Sequence, residues 1–182
     1  MKTICLYFEI HQNIQLKRYR FFDIGTDHYY YDDYEDGRII EDVTERSYMP
    51  ALNAIGEMIK ENGKYFKVAF SLSGVGMEQL EIHAPQVIEK LQELNQTGCV
   101  EFLAEPYSHG LASLANEESF TKEVKRQCQK MKEYFGQEPK VLRNSSLIYS
   151  DEIGLQASQM GFKGMLTEGA RHVLGWKSPH YV

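Results

Sequence analysis

Phe66-Lys67-Val68-Ala69-Phe70-Ser71-Leu72 is followed, after Ser73-Gly74-Val75-Gly76, by a stretch from Met77 to Leu94 and then by Cys99-Val100-Glu101-Phe102-Leu103-Ala104. The two short runs alternate Val, Phe and Leu with other residues, as strands do. Between them apolar residues recur at helical spacing at Leu80, Val87, Ile88, Leu91 and Leu94. Pro85 marks a kink or a helix start, and Thr97-Gly98 a stop. A strand, a helical crossover and a second strand make a βαβ unit, and such units build parallel sheets.

The same alternation extends outward in both directions. Toward the N-terminus, Thr3 to Ile10 sets Ile4, Leu6, Phe8 and Ile10 against Cys5, Tyr7 and Glu9, the period of two of a first strand. A long Tyr- and Asp-rich segment follows, and helical spacing then appears at Ala51, Ile55, Met58 and Ile59 and stops near Asn62-Gly63. Toward the C-terminus, Phe120 to Phe135 reads as an amphipathic helix ended by Gly136, and Lys140 to Leu142 as strand four. Ser150-Asp151-Glu152 starts a helix that runs to Met160, and Phe162 to Leu166 reads as strand five. The fold class is therefore α/β, with about five strands in a parallel sheet or barrel.

Buried parallel strands usually read as continuous apolar runs. These do not. Glu9 and His11 stand on the polar side of strand one, Ser71 and Ser73 on that of strand two, and Glu101 and Glu105 on that of strand three. An antiparallel sheet with one wet face would give the same pattern, but the helical connectors argue against it. A barrel or crevice with its site at the carboxyl ends of the strands explains both features.

At 182 residues, 42% hydrophobic and 25% charged, the chain fits one domain with a substantial core. Twenty Lys+Arg against 26 Asp+Glu give a net charge of -6, with no basic stripe for phosphates, so nucleic acid is not an expected partner. The first apolar stretch, Thr3 to Phe8, is too short for a signal-peptide core or a membrane span, which gives a cytoplasmic protein as the expectation. Cys5, Cys99 and Cys128 are odd in number and widely spaced; we expect buried free thiols rather than a disulfide framework or a zinc motif.

Several residues are placed to carry chemistry. His11, at the end of strand one within His11-Gln12-Asn13, would hydrogen-bond a ligand hydroxyl or serve as acid or base; its alternative is a capped structural histidine. Glu101 and Glu105 suggest a glycosidase carboxylate pair, but four strand residues separate them by roughly 13 Å. A retaining pair needs roughly 5–5.5 Å and an inverting pair roughly 6.5–9.5 Å, so they are not each other's partner. Either would still bind a ligand, because an inward carboxylate must be paired or solvated. The histidines, His11, His28, His83, His109, His172 and His180, show no metal-binding spacing. Gly74-Val75-Gly76 lacks the Gly-Lys-Ser/Thr of a phosphate loop and reads as a plain turn. The loop from Tyr19 to Tyr34 sets aromatic faces beside carboxylates, which suits sugar rings as well as it suits packing on a barrel rim.

Taken together, His11-Gln12, the run from Tyr19 to His28, Gly98 to Glu105, Ser108-His109-Gly110-Leu111, Arg143-Asn144 and Leu147-Ile148-Tyr149-Ser150-Asp151 resemble glycoside hydrolase family 57, in particular its α-amylase-like branch. The resemblance covers essentially the whole chain. It implies an incomplete (β/α)7 barrel, α-1,4-glucan or oligosaccharide substrates, and neither metal nor cofactor. It also implies a retaining mechanism, with a Glu nucleophile after strand four and an Asp acid/base beyond strand five.

By that resemblance His11 matches the sugar-binding histidine of the first motif and Glu101 the glutamate of the second, and Gln12, Glu105 and His109 join them as substrate-binding residues. Asn13 stands where the motif usually has Pro. Ser146 stands where the nucleophile belongs, and a neutral hydroxyl without a base is a poor replacement for a carboxylate. The expectation is an impaired relative of the α-amylases, with residues 1–182 the N-terminal part of a longer barrel and an uncovered sheet edge open to self-association. The alternatives are a hydrolase or glucanotransferase active at full length, and a polysaccharide deacetylase, which shares the barrel type but needs a metal triad.

Overall fold

A computed structural model describes residues 4–169 together with Gly175 and Trp176. His172 and His180, and Thr3 at the start of the first expected strand, lie outside the described residues. Strands β1 (Tyr7–Ile10), β2 (Val68–Leu72) and β3 (Val100–Leu103) pair in parallel in that order, and β4 (Val141–Arg143) pairs in parallel with β5 (Gly164–Leu166). A parallel bridge between Ala104 and Leu142 joins the two groups, with Ala104 N–H donating to Val141 O at 2.9 Å and Arg143 N–H to Ala104 O at 2.7 Å. The sheet is thus parallel from β1 to β5, which excludes the antiparallel alternative.

The register explains the sequence pattern. Phe8, Phe70 and Phe102 stand side by side, with centroids 5.9 Å and 6.3 Å apart, and Phe102 stacks on Phe135 at 4.0 Å. This face is covered by helices α2 (Met49–Asn62), α4 (Pro85–Gln96) and α6 (Glu117–Phe135), which supply Leu52, Ile55, Ile59, Val87, Leu91, Leu94 and Met131 to the core. Side chains alternate across a strand, so the opposite face carries Tyr7 and Glu9, Ala69 and Ser71, and Glu101 and Leu103.

Three elements differ from the sequence reading. Helix α1 (Asp33–Val43) and a π-helical turn (Thr44–Tyr48) precede α2, in the stretch between the Tyr/Asp loop and Ala51 where the sequence shows no helical spacing. Its apolar stripe is thin, and acidic residues and Gly37 fill it. It is held by the Asp32 cap on Glu35 N–H and by buried Asp36, which accepts Gln15 N–H at 2.8 Å. The expected helix from Met77 to Leu94 is two helices, α3 (Gly74–His83) and α4, because Pro85 begins a new helix rather than bending one. Gly74-Val75-Gly76 is accordingly neither a phosphate loop nor a plain turn but the first turn of α3, capped by Ser73. Gly74 is required there, since a Cβ would overlap the Tyr107 ring.

The short helix α5 (Ala112–Ala115) leads into α6, which Asn116 caps by accepting Ser119 N–H and Gly136 ends at φ +67. Helix α7 (Asp151–Gln159), capped by Ser150, returns the chain to β5. Cys99 is buried, and Cys128 is largely so, with burial pushing its thiol pKa up to about 11. Cys5 departs from the expectation of a buried thiol: it is exposed, just before the edge strand β1. Among the described residues, no helix is long and apolar enough to cross a membrane.

Candidate active site

The polar strand ends converge on one cluster. Glu9 comes from β1, Ser71 from β2, Glu105 from the end of β3, Arg143 from β4, and His109 from the loop after β3. Arg143, 4% exposed, donates from Nη2 to Glu9 Oε2 at 2.6 Å and holds Nη1 3.5 Å from Glu105 Oε2. Ser71 donates its hydroxyl to that same Glu105 oxygen. The Oε1 oxygens of the two carboxylates face His109 instead. Glu9 Oε1 lies 3.3 Å from His109 Nε2, and Glu105 Oε1 lies 3.9 Å from His109 Nδ1. Arg143 Nη1 stands 3.4 Å from His109 Nδ1, an arrangement that suits a neutral imidazole with Nε2–H on Glu9 and Nδ1 accepting from the guanidinium. Among the described residues, Glu105 Oε1 is then a buried acceptor without a donor, and Arg143 Nε a buried donor without an acceptor.

His11 stacks on His109 with ring centroids 4.3 Å apart. Its Nδ1 lies 2.7 Å from Ser73 Oγ and its Nε2 lies 2.9 Å from Asn13 Oδ1. Burial holds the His11 pKa below the ordinary imidazole value, with the bond to Asn13 opposing it; His109 pushes the same way as burial, while Glu105 and Glu9 oppose it. Gln12 donates to Tyr48 Oη at 3.3 Å, and its carbonyl accepts from Gln79 Nε2 at 2.9 Å.

The structure therefore brings together three of the residues singled out from the sequence, His11, Glu105 and His109, while Gln12, next to His11, bonds Tyr48 and Gln79. It does not bring Glu101 to them. Glu101 stands in register with Ala69 and Tyr7, four residues before Glu105, and lies exposed in a depression with Lys132, Gln137, Glu138 and Lys140. The alternation correctly put it on the polar side of the strand, but Glu101 lies short of the carboxyl end at which the sequence places the site. Glu105 is 0% exposed and holds Arg143, so it acts within the cluster rather than at its surface. The loop from Tyr19 to Tyr34 forms a separate shallow pocket where Tyr19 and Tyr30 pack against each other, centroids 5.1 Å apart. The residue missed by sequence reasoning is Arg143. It lay within a recognised motif, but no pattern assigns a lone arginine as the counter-ion of two distant carboxylates.

Ser146 is exposed in the 3-10 turn Ser145–Leu147 after β4, with φ +53, and Leu147 follows at φ +57. His109 is at φ +54. These three non-glycine residues in the left-handed region all lie on loops after β3 and β4, at the carboxyl ends of the strands. Backbone strain of this kind costs on the order of 1–3 kcal/mol per residue and concentrates at functional sites.

Among the described residues, Glu9, Glu105 and His109 could hold a metal ion, with one ligand atom from each within 4.8 Å of the others. The donor set suits this poorly. Arg143 already supplies a positive charge to both carboxylates, so a divalent ion would stand against a guanidinium.

The glycosyl hydrolase family 57 model matches residues 5–182. The chain belongs to that family. A Methanocaldococcus jannaschii protein named "Putative alpha-amylase" is 38% identical over 145 residues, 79% of this chain and 31% of that protein. The family 57 chain spans under a third of that relative. The structure of 4-alpha-glucanotransferase from Thermococcus litoralis superposes on 97% of the chain and 24% of its own, with a TM-score of 0.73 and 15% identity. The family 57-type branching enzyme of Pyrococcus horikoshii covers 88% of the chain and 41% of its own, with a TM-score of 0.63 and 15% identity. These two likenesses speak to the fold: the five strands are those of an N-terminal portion of the incomplete (β/α)7 barrel.

Proposed function

We propose that residues 1–182 form the N-terminal part of a family 57 barrel that binds α-1,4-glucan or maltooligosaccharides through His11, Gln12 and His109, with hydrolysis impaired at Ser146. Glu105 and Arg143 hold the floor of that site. The observation that carries the impairment is the residue at the nucleophile's position: an exposed hydroxyl on a left-handed turn, to which no described side chain hydrogen-bonds. A retaining mechanism needs a carboxylate that attacks the anomeric carbon and departs again, and a serine without a base does neither. Loss of a nucleophile lowers kcat by roughly 10⁴-fold or more. The test uses the natural full-length polypeptide and its Ser146→Glu variant on maltoheptaose. No reducing ends from the natural protein and release by the variant are the expected pair. Rapid turnover by the natural protein would mean that an active glucan hydrolase or glucanotransferase is the better reading.

A polysaccharide deacetylase is the second reading, favoured only by the convergence of Glu9, Glu105 and His109. It requires a bound metal. Stoichiometric zinc in the purified protein would support it, and a zinc-free protein whose melting temperature ignores both zinc and a chelator would end it.

A further inference from the structure

Ser73 joins the N-terminus of α3 to the ring of His11. Its side chain is 0% exposed, and its Oγ accepts Gly76 N–H at 2.9 Å as the cap of the helix. The same oxygen lies 2.7 Å from His11 Nδ1. A hydroxyl has one hydrogen and two acceptor sites, and the helix amide uses one of the acceptor sites. Were Nδ1 protonated, the oxygen would accept twice and the Ser73 hydrogen would be left, in a fully buried side chain, without the partner now 2.7 Å away. Donation from Ser73 to Nδ1 satisfies every atom, and it requires that Nδ1 carry no proton. The proton of the neutral ring is then on Nε2, where Asn13 Oδ1 stands 2.9 Å away to accept it.

We propose that Ser73 is a positioning residue that fixes His11 as the Nε2–H tautomer, so that the nitrogen turned toward Asn13 presents a donor to a glucan hydroxyl oxygen. The helix cap is what sets the direction: the amide of Gly76 occupies an acceptor site of the hydroxyl and leaves its hydrogen for the imidazole. Asn13 holds that donor in the free protein and is exposed at its own position, so a sugar oxygen can take its place. The inference rests on the sugar-binding reading of His11 for its purpose, but not for its geometry.

Nitrogen-15 NMR of the histidine side chains in the free protein reads the tautomer directly, with His11→Gln identifying the resonances. The expected result near neutral pH is an unprotonated Nδ1 and a protonated Nε2 in the natural protein, unchanged in Ser73→Thr, which keeps the hydroxyl. Ser73→Asp keeps an oxygen to cap α3 but has no hydrogen to donate, and is expected to transfer the ring proton to Nδ1. An unchanged tautomer in Ser73→Asp would overturn the proposal. So would an Nδ1–H or mixed tautomer in the natural protein, a result that stands even if the aspartate variant does not fold. Maltoheptaose titration of the natural full-length protein separates the two readings: no binding with an Nε2–H ring removes the glucan role and leaves the Ser73 assignment intact.

Discussion

Arg143 illustrates how one residue carries the electrostatics of the site. It is 4% exposed and faces a carboxylate that is 0% exposed, so its removal leaves Glu105 charged and uncompensated in a low-dielectric setting. Arg143→Met should therefore cost about 3–5 kcal/mol in urea denaturation, and adding Glu105→Gln should return part of that loss. Additive costs for the two substitutions would show that the pair is not coupled. His11 gives a pH dependence with a definite sign. Its folded pKa lies below the ordinary 6.5, so between the two values the unfolded chain binds more protons than the folded one. The contribution of His11 is fully present above 6.5 and is lost as pH falls from there toward the folded value. Stability measured between pH 7.5 and pH 5.5 should fall with a steeper slope in the natural protein than in His11→Gln. Of these residues, His11 and Glu105 were legible from strand periodicity, because alternation exposes a polar residue on a face that ought to be apolar. Their partners were not, since Arg143 is 134 positions from Glu9 and only the folded sheet brings the two together.

At the level of elements, the βαβ rhythm was legible because strands and helices differ in hydrophobic period and because the helices of the core have full apolar stripes. Strands β2 to β5 fall within two residues of their expected starts and ends. Helix α1 was not legible: Asp33–Val43 buries only Asp36 and Ile40, so it has almost no stripe to detect, and its stability comes from a cap and tertiary contacts. The division of α3 from α4 was signalled by Pro85, which the sequence allowed to be either a kink or a start. The aromatic row across β1, β2 and β3 ends on α6 through the Phe102–Phe135 stack, and it fixes how that helix lies on the sheet. Phe102→Ala, at a fully buried position, should cost about 3–5 kcal/mol in thermal or chemical denaturation. A cost below about 1 kcal/mol would mean that α6 is anchored elsewhere.

At the scale of the molecule, a parallel sheet gathers chemistry at the carboxyl ends of its strands because every βα loop emerges there. The cluster of Glu9, Glu105, His109 and Arg143, the stacked His11 and the strained turn at Ser146 all lie at that end, whereas Glu101 lies toward the other end of β3. The polar face visible in the sequence is thus two places: a cluster at the top of the strands and an exposed acid, Glu101, lower down. Sequence periodicity reports the face of a strand, the parallel βα order points to its carboxyl end, and the register shows which of the polar residues reach that end. Under the proposed function, this barrel keeps a glucan site and lacks the means to cleave what it binds. Calorimetric titration of the full-length protein with maltoheptaose, followed by chromatography of the sugar recovered from the cell, tests both halves at once. The account predicts a saturable heat of binding and intact maltoheptaose; no binding heat across several chain lengths, or recovery of shorter and longer glucans, would contradict it.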